Sequence, residues 1–556
     1  MRAIYFLLLF VFFCSSAFAQ NSRIWATYYG SLGFEEALSV ATDDSGNVYI
    51  AGKTTSDSAI AFGGFQNVYG GGASDAFLVK FDGAGNRIWA TYYGGAGAEE
   101  WSTVDLDDSG YVYLAGSTTS ASGISTFNGF QDTLRGTEDA FLVKFDENGN
   151  RIWATYYGGM ASDEGLFVRT DRSDNIYLGG MTNSNDGIAF NGHQNTNALF
   201  YDAFLVKFDG SCNRIWGTYY GGPSFEYGVY GIATDDVGNV YITGLTGSAS
   251  GIASGGHQNT YGGGSWDGYL VKFNENGLRL WSTYYGGSGD DAGVSVTTHS
   301  GSIYLAGFTA SDSNIAFNGY QNTYSGGTYD DFLVKFDSGG TRTWATYFGG
   351  PGTEDCYSLA TDTLGNIYLA GYTSSNMYIS YAGFKNGYGG GANDAFLAKF
   401  DPAGNRFCST YWGGSGGDRG LCVAVDMNGD LYLSGRTYSF NAIAYFGFQN
   451  TYGGGSQDAF LVKLGSCLNT GMEIVFYEEG ITVYPNPSDG VFTIDTKTIL
   501  GEIEIYNVLG ENVYQTEVKG NGSIVIDLHD KPGGIYLIRV RDGNEIEASG
   551  KIILSN

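Results

Sequence analysis

The chain has 556 residues, with 28 basic side chains against 58 acidic ones and a formal net charge of −30. That balance excludes the basic stripe that nucleic-acid binding requires. Glycine (89), Tyr (43) and Phe (36) are abundant while Pro is only 6, a profile of strands joined by glycine turns that fits neither disorder nor collagen.

Residues 1–19 predict an export signal. Arg2 gives the positive start, Ile4–Phe13 the apolar core, and Ala17-Phe18-Ala19 a small-x-small cleavage site ahead of Gln20. The core is too short for a resident membrane helix, and no later segment reaches 18 apolar residues, so no transmembrane segment is expected. Cys14 lacks the small residues that precede a lipoprotein cysteine.

From Arg23 the chain repeats itself every 64 residues or so: Trp25, Trp89, Trp153, Trp216, Trp281 and Trp344 all stand in the phrase "RIWATYYGG" or a near copy. Cys408 takes the seventh tryptophan's place. Self-similarity at a fixed period marks a repeat architecture. Each repeat holds four strand-like runs, in the first "ALSVATD", "NVYIAG", "DAFLVKFD" and "RIWATYY", bounded by turn clusters such as "DDSGN". "AFLVKF" is apolar on both faces, so its sheet needs cover on both sides. Four-stranded sheets packed face to face describe a β-propeller. The register starts on a fourth-strand phrase (Arg23–Tyr29) and stops after a third (Asp458–Leu464). The expected fold is therefore all-β, a seven-bladed propeller over residues 20–466 closed by its N-terminal strand, which hides the sheet edges of an open array. The unit "DAFLVKFDENGNRIWATYYGG" with "D-x-x-G-N-V-Y-x-x-G-x-T" resembles the SBBP-type β-propeller repeat of bacterial secreted and surface proteins. The resemblance implies the fold and no particular activity.

Ten residues beyond each tryptophan position stands an acid: Glu35, Glu99, Asp163, Glu226, Asp291, Glu354 and Asp418. They fall where an outer strand passes to the next inner strand, so a ring near the central channel is expected. One reading is a cation or polar-ligand ring, with calcium the conceivable ion. The other is a set of acceptors for the adjacent glycine-rich backbone. A ring with neighbours about 10 Å apart supplies calcium poorly, since the ion wants six to eight oxygens. The aspartates before "AFLVKF" recur in every repeat and read as turn-closing parts. "DLDDSG" at Asp105–Gly110 opens like an EF-hand loop but carries Gly116 where a bidentate acid is needed. No metal set and no cofactor motif is predicted.

Residues that break the symmetry are better candidates for a unique site: His193 and His257 in place of an aromatic, His299 in place of an acid, and Trp101, Trp266 and Trp412 as possible sugar-stacking rings. No nucleophile motif and no paired acid unique to one repeat occurs, so no catalytic residue is assigned. The mature cysteines, Cys212, Cys356, Cys408, Cys422 and Cys467, are odd in number and scattered. Cys408 and Cys422 read as buried small apolar residues, with a Cys356–Cys422 bridge as the pairing open to the sequence.

After a linker (467–480), residues 481–556 form a separate alternating pattern expected to fold as a small Ig-like β-sandwich. Tyr484-Pro485-Asn486-Pro487, Gly490, the "IYNVLGENV" hairpin, Gly534-Ile535-Tyr536 and the closing Lys551-Ile552-Ile553 resemble the C-terminal sorting domain of the type IX secretion system of Bacteroidetes. The resemblance implies the type IX secretion machinery as partner, and a secreted or outer-surface location. The expected function is non-catalytic: a surface propeller that binds a glycan, protein or matrix ligand through loops on one face, the long loops between second and third strands above all. A propeller-based hydrolase or lyase and a structural surface-layer component are the alternatives.

Overall fold

Strands form where β-branched and aromatic residues alternate, and the Asp-x-x-Gly clusters turn the chain back between them. In the first repeat Glu35–Thr42, Val48–Thr54, Asp75–Phe81 and Arg87–Tyr93 pair in that order as one antiparallel sheet. The first hairpin shows the turn chemistry. Asp43 Oδ1 accepts from the amides of Ser45 (3.0 Å) and Asn47 (2.8 Å), and Gly46 takes a φ of +79° that a side chain would resist. The computed structural model describes residues 23–465 continuously and, beyond them, 482–484, 488, 490–495, 501–507, 512–518, 523–542 and 545–554. The expected signal, its cleavage site at Ala19 and Gln20, and the linker lie outside the described residues.

Seven four-stranded antiparallel sheets occupy residues 23–465. Six are built from four strands consecutive in sequence. The seventh joins Asp418–Val425, Leu431–Thr437 and Asp458–Leu464 to the first strand of the chain, Arg23–Tyr29. There Trp25 stands opposite Lys463 and Tyr29 opposite Ala459. This last sheet touches the first: Ser434 Oγ donates to the Ala37 carbonyl (3.4 Å), and Arg436 pairs with Glu36 (2.9 Å). The "DAFLVKF" strand is buried along its whole length, as a sheet covered on both faces demands.

The repeated outer-strand phrase is a packing device, residue by residue. Each tryptophan indole donates to a carbonyl in the hairpin of the next repeat, Trp25 to Gly83 (3.0 Å), Trp89 to Glu147 (3.0 Å) and Trp216 to Glu275 (2.9 Å) among them. The first tyrosine reaches a serine carbonyl, Tyr92 to Ser56 at 2.9 Å and Tyr156 to Ser120 at 2.7 Å. The arginine guanidinium stacks on an aromatic ring, as Arg151 does over Phe65 (4.3 Å). Cys408 is disulfide-bonded, which corrects its reading as a plain apolar filler. Cys356 and Cys422 are free thiols, so the bridge between them does not form; Cys422 instead lies 3.6 Å from Ser358 Oγ. Cys212 is free and buried.

The loops between second and third strands fold back along the outer strand. Phe62 and Ala90 exchange backbone hydrogen bonds at 2.8 Å, and Tyr92 N donates to Gln66 O (2.9 Å). These loops therefore cover the outer sheet edge, where unpaired backbone would invite aggregation.

The C-terminal unit holds two antiparallel sheets. One orders Thr482–Tyr484, Val491–Asp495 and Ser523–Asp527; the other orders Asn512–Val518, Gly501–Asn507, Gly534–Asp542 and Glu545–Leu554. Its core is apolar, with Phe492, Ile503, Ile505, Ile538 and Ile552 buried.

Candidate functional site

All seven acids that follow the outer strands are fully buried. Each opens, or in the case of Glu226 precedes, an inner strand, and each accepts at least twice; Asp163, Asp291 and Asp418 also accept from the hydroxyls of Ser184, Ser311 and Ser439. A threonine hydroxyl of the same sheet donates to one oxygen: Thr54 to Glu35 (2.6 Å), Thr118 to Glu99 (2.6 Å), Thr246 to Glu226 (2.7 Å), and likewise Thr182 to Asp163, Thr309 to Asp291, Thr373 to Glu354 and Thr437 to Asp418. A backbone amide four residues earlier donates to the other oxygen, from 2.7 Å (Gly159 to Asp163) to 3.2 Å (Gly95 to Glu99). The carboxylate thus clamps the crossing from one sheet to the next.

A second buried acid stands beside each clamp. Asp75, Asp202, Asp267, Asp330, Asp394 and Asp458 accept a loop amide through Oδ2, but their buried Oδ1 has no donor among the described residues. The two carboxylates converge on the first glycine of "YYGG". A Cβ on Gly94 would meet Glu99 Oε2 at 2.2 Å and Asp75 Oδ1 at 2.7 Å, so only glycine fits. Burial, reinforced by the neighbouring acid, pushes Asp75, Asp202, Asp267, Asp330 and Asp458 up to about 7. Burial likewise raises Asp163, Asp291 and Asp418 to about 6.

Two predictions follow from this geometry. Replacing Glu99 by Ala strands the Thr118 hydroxyl and the Gly95 amide, and should cost about 1–3 kcal/mol in urea unfolding, unaffected by chelator or calcium. A calcium-dependent loss would indicate an ion site. The raised acids bind protons more tightly in the folded state, so their contribution is complete below about pH 4 and is lost as pH rises through about 7. The hairpin aspartates Asp82, Asp146 and Asp209 are lowered by their hydrogen bonds and act only at the acid end of that range. The melting temperature should therefore fall by several degrees from about pH 5 to about pH 8. A profile that rises over that span would contradict the assignment.

The sevenfold pattern breaks in the positions next to the clamp. The residue after it is Glu36, Glu100, Glu164, Tyr227, Ala292, Asp355 or Arg419, and the residue before it is aromatic only as Phe34 and Phe225. At Tyr227 the inner strand itself is altered. It runs only Gly231–Thr234, and Gly228, with a φ of +84°, bends the chain against Leu166, where a Cβ would lie 2.7 Å from Leu166 Cδ1. The bend presents a run of rings. Phe200 stacks on Phe225 (4.9 Å, 19°), Phe225 on Tyr227 (6.2 Å, 29°) and Tyr201 on Phe225 (6.2 Å, 21°), while Trp266 meets Tyr227 edge-on at 5.5 Å. Phe200, Phe225 and Tyr227 remain 47%, 39% and 38% exposed. The same columns in other repeats hold residues such as Ala98, Ser162 and Gly417.

In most other repeats the column after the clamp is charged. Arg436 pairs with Glu36, Lys53 with Glu36 (3.6 Å) and Glu100, and Ser74 Oγ donates to Glu100 (2.9 Å). Asp355 accepts from the Tyr372 phenol (2.9 Å), and Arg419 stacks over Tyr372 (4.2 Å). A central cavity of about 520 Å³ runs along the inner strands, lined by Val40, Val104, Tyr230, Val296, Leu359 and Val423 among others. Trp101 also lines it and is half exposed.

Of the other symmetry-breaking residues, only Trp266 joins the ladder. Trp412 is buried. His193 packs against Phe273 and His257 against Phe336, each in the slot that Phe65 and Phe130 fill elsewhere, so the structure does not bring the two histidines together. Among the described residues no group of three or more His, Cys, Asp or Glu is placed to hold a metal. Phe200, Phe225 and Tyr227 are not among the symmetry-breaking residues singled out from the sequence; their signal is the aromatic pair flanking Glu226, where other repeats carry residues such as Ala98 and Ala292.

In the C-terminal unit Tyr536 is buried and its hydroxyl donates to the Pro532 carbonyl (2.8 Å). Gly490 takes a φ of +125° against the His529 ring, and Gly534 opens a strand. Tyr484 is half exposed, and the Lys551 backbone pairs opposite Leu537. Pro485, Asn486 and Pro487 lie outside the described residues.

The model of the secretion system C-terminal sorting domain matches residues 482–555, and that of the SBBP β-propeller repeat matches 215–251 and 343–378. The chain carries SBBP propeller repeats and a type IX sorting domain. The sorting domain directs it to the cell surface or the extracellular space, and no helix among the described residues is long and apolar enough to cross a membrane. A WD repeat-containing protein of Acanthamoeba polyphaga mimivirus is 24% identical over 74% of this chain and 36% of its own length. The regulatory protein FlaEY of Caulobacter vibrioides is 25% identical over 63% of this chain and 38% of its own. The chain thus spans little more than a third of the length of these relatives. Among solved structures, an ulvan lyase of a polysaccharide lyase family is 9% identical, covering 78% of this chain and 94% of that one at a TM-score of 0.40.

Proposed function

We propose that this SBBP protein is a non-catalytic, surface-displayed binder that holds an extracellular glycan against the ladder of Phe200, Phe225, Tyr227 and Trp266. Its frame is a seven-bladed propeller closed by the N-terminal strand, followed by an Ig-like sandwich that addresses it to the type IX machinery. Seven four-stranded sheets, and the pairing of Arg23–Tyr29 with Asp458–Leu464, support that frame. The observation that carries the binding assignment is the ladder itself: half-exposed, near-parallel rings that occur in one sector only. Flat aromatic faces suit the C–H faces of pyranose rings, and their cost in side-chain entropy is low. The seven clamp acids act in this frame as internal acceptors, with calcium playing no part.

A glycan array probed with the mature protein tests this. Replacing Phe225 and Tyr227 together by Ala should weaken binding at least about tenfold, because each stacked ring contributes roughly 1 kcal/mol, and should leave the fold intact. Glycan binding unchanged in that variant would remove the ladder as the site. Cleavage of the bound chain would favour the hydrolase or lyase alternative.

A further inference from the structure

The ladder abuts a carboxylate that no cation among the described residues offsets. Gly228, next to Tyr227, would place a Cβ 3.0 Å from Met181 Cβ, and Met181 stands opposite Glu164 across the strand pair. The Tyr230 phenol lies within electrostatic reach of both Glu164 and Tyr227. Glu164 is half-buried and faces Glu138 and Glu100. Those two are engaged, Glu100 by Lys53 and Ser74, Glu138 by the Ser117 hydroxyl (2.6 Å). Burial together with these like charges raises Glu164 to about 7. On the ladder's other flank Asp290 accepts from the Ser265 amide (2.6 Å), so an acid stands there as well.

Resting on the glycan assignment above, we infer that the ligand is a sugar chain without acidic groups, and that Glu164 is the residue that selects it. Above about pH 7, where Glu164 is ionised, a sulfate or uronate seated on the ladder would bring a fixed negative charge beside Glu164 and Asp290, in a partly desolvated sector where repulsion is least screened. The net charge of −30 repels a polyanion at longer range too. A neutral sugar meets no such penalty, and its hydroxyls are donors that Glu164 can accept. Selection therefore works by repelling the wrong chain as much as by holding the right one.

Isothermal titration of the full mature protein at about pH 8.5, where Glu164 is ionised, with neutral hexasaccharides (cello-, laminari- and manno-) and acidic ones (alginate and polygalacturonate) tests this at low and moderate salt. We expect at least one neutral chain to bind and the acidic chains to bind at least about tenfold more weakly, the gap narrowing as salt rises. Glu164→Gln should strengthen acidic-chain binding several-fold while leaving neutral-chain affinity equal or weaker. Acidic chains that bind as tightly as neutral ones, in a manner lost on replacing Phe225 by Ala, would overturn the inference and leave the glycan assignment standing. If no chain of either kind binds, the glycan assignment itself falls, and this inference with it.

Discussion

Removing residues 20–30 lowers the melting temperature sharply and makes the protein aggregate. Those residues hold the strand that completes the seventh sheet, and Trp25, Tyr28 and Tyr29 are buried in it to 3%, 2% and 1% exposure. The Trp25 indole bonds the Gly83 carbonyl at 3.0 Å and the Tyr28 hydroxyl bonds the Ser439 carbonyl at 2.9 Å, so the strand joins the first repeat to the last. Loss of one buried tryptophan costs about 3–5 kcal/mol, and three aromatic residues go together here. That sum rivals the whole stability of an ordinary domain, about 5–15 kcal/mol. The deletion also bares the edge of Asp458–Leu464, a strand whose sequence DAFLVKL is buried throughout, and an apolar exposed edge recruits other chains. Thermal unfolding with light scattering measures both effects. An unchanged melting temperature would mean that the strand contributes nothing to closure.

Deleting Ile481–Asn556 strands the protein in the periplasm. The sorting domain occupies a compact unit of its own, with a core that shares no buried residue with the propeller cores, so its loss leaves the propeller folded and without an address. Cell fractionation should find the truncated chain almost wholly periplasmic and the intact chain at the surface or in the medium. Replacing Tyr536 by Ala, which opens a cavity under the Pro532 turn, should give a partial version of the same defect. Normal surface delivery of the truncation would contradict the assignment.

Much of this architecture is legible in the sequence because repetition does the averaging. Seven copies or near copies of "DAFLVKF" show a doubly buried strand, and the register of Arg23–Tyr29 against Asp458–Leu464 anticipates their pairing. The clamp acids were located too, yet their partners were not, since Thr54 or Thr118 reaches its acid only once the second strand folds beside it. Cys408 is buried as its sequence suggests, but its disulfide was not legible because pairing cannot be deduced from scattered cysteines. The long loops between second and third strands, expected to carry recognition, supply Phe200 and Trp266 to the ladder; what nothing local reports is that Phe62 and Gln66 also bond to the neighbouring outer strand. The ladder was hidden for a different reason. Its rings come from three separate connections, around Phe200, Phe225 and Trp266, and become neighbours only through the bend at Gly228.

A propeller of near-identical sheets can bind through one sector or through all seven, and hydrogen exchange of the mature protein with and without its bound glycan separates the two. One binding sector predicts slowed exchange confined to peptides covering residues 199–201, 225–231 and 264–267, with Glu164 at the border of the protected region and the remaining inner-strand crossings unaffected. Equal protection at all seven crossings, or none around Tyr227, would contradict it.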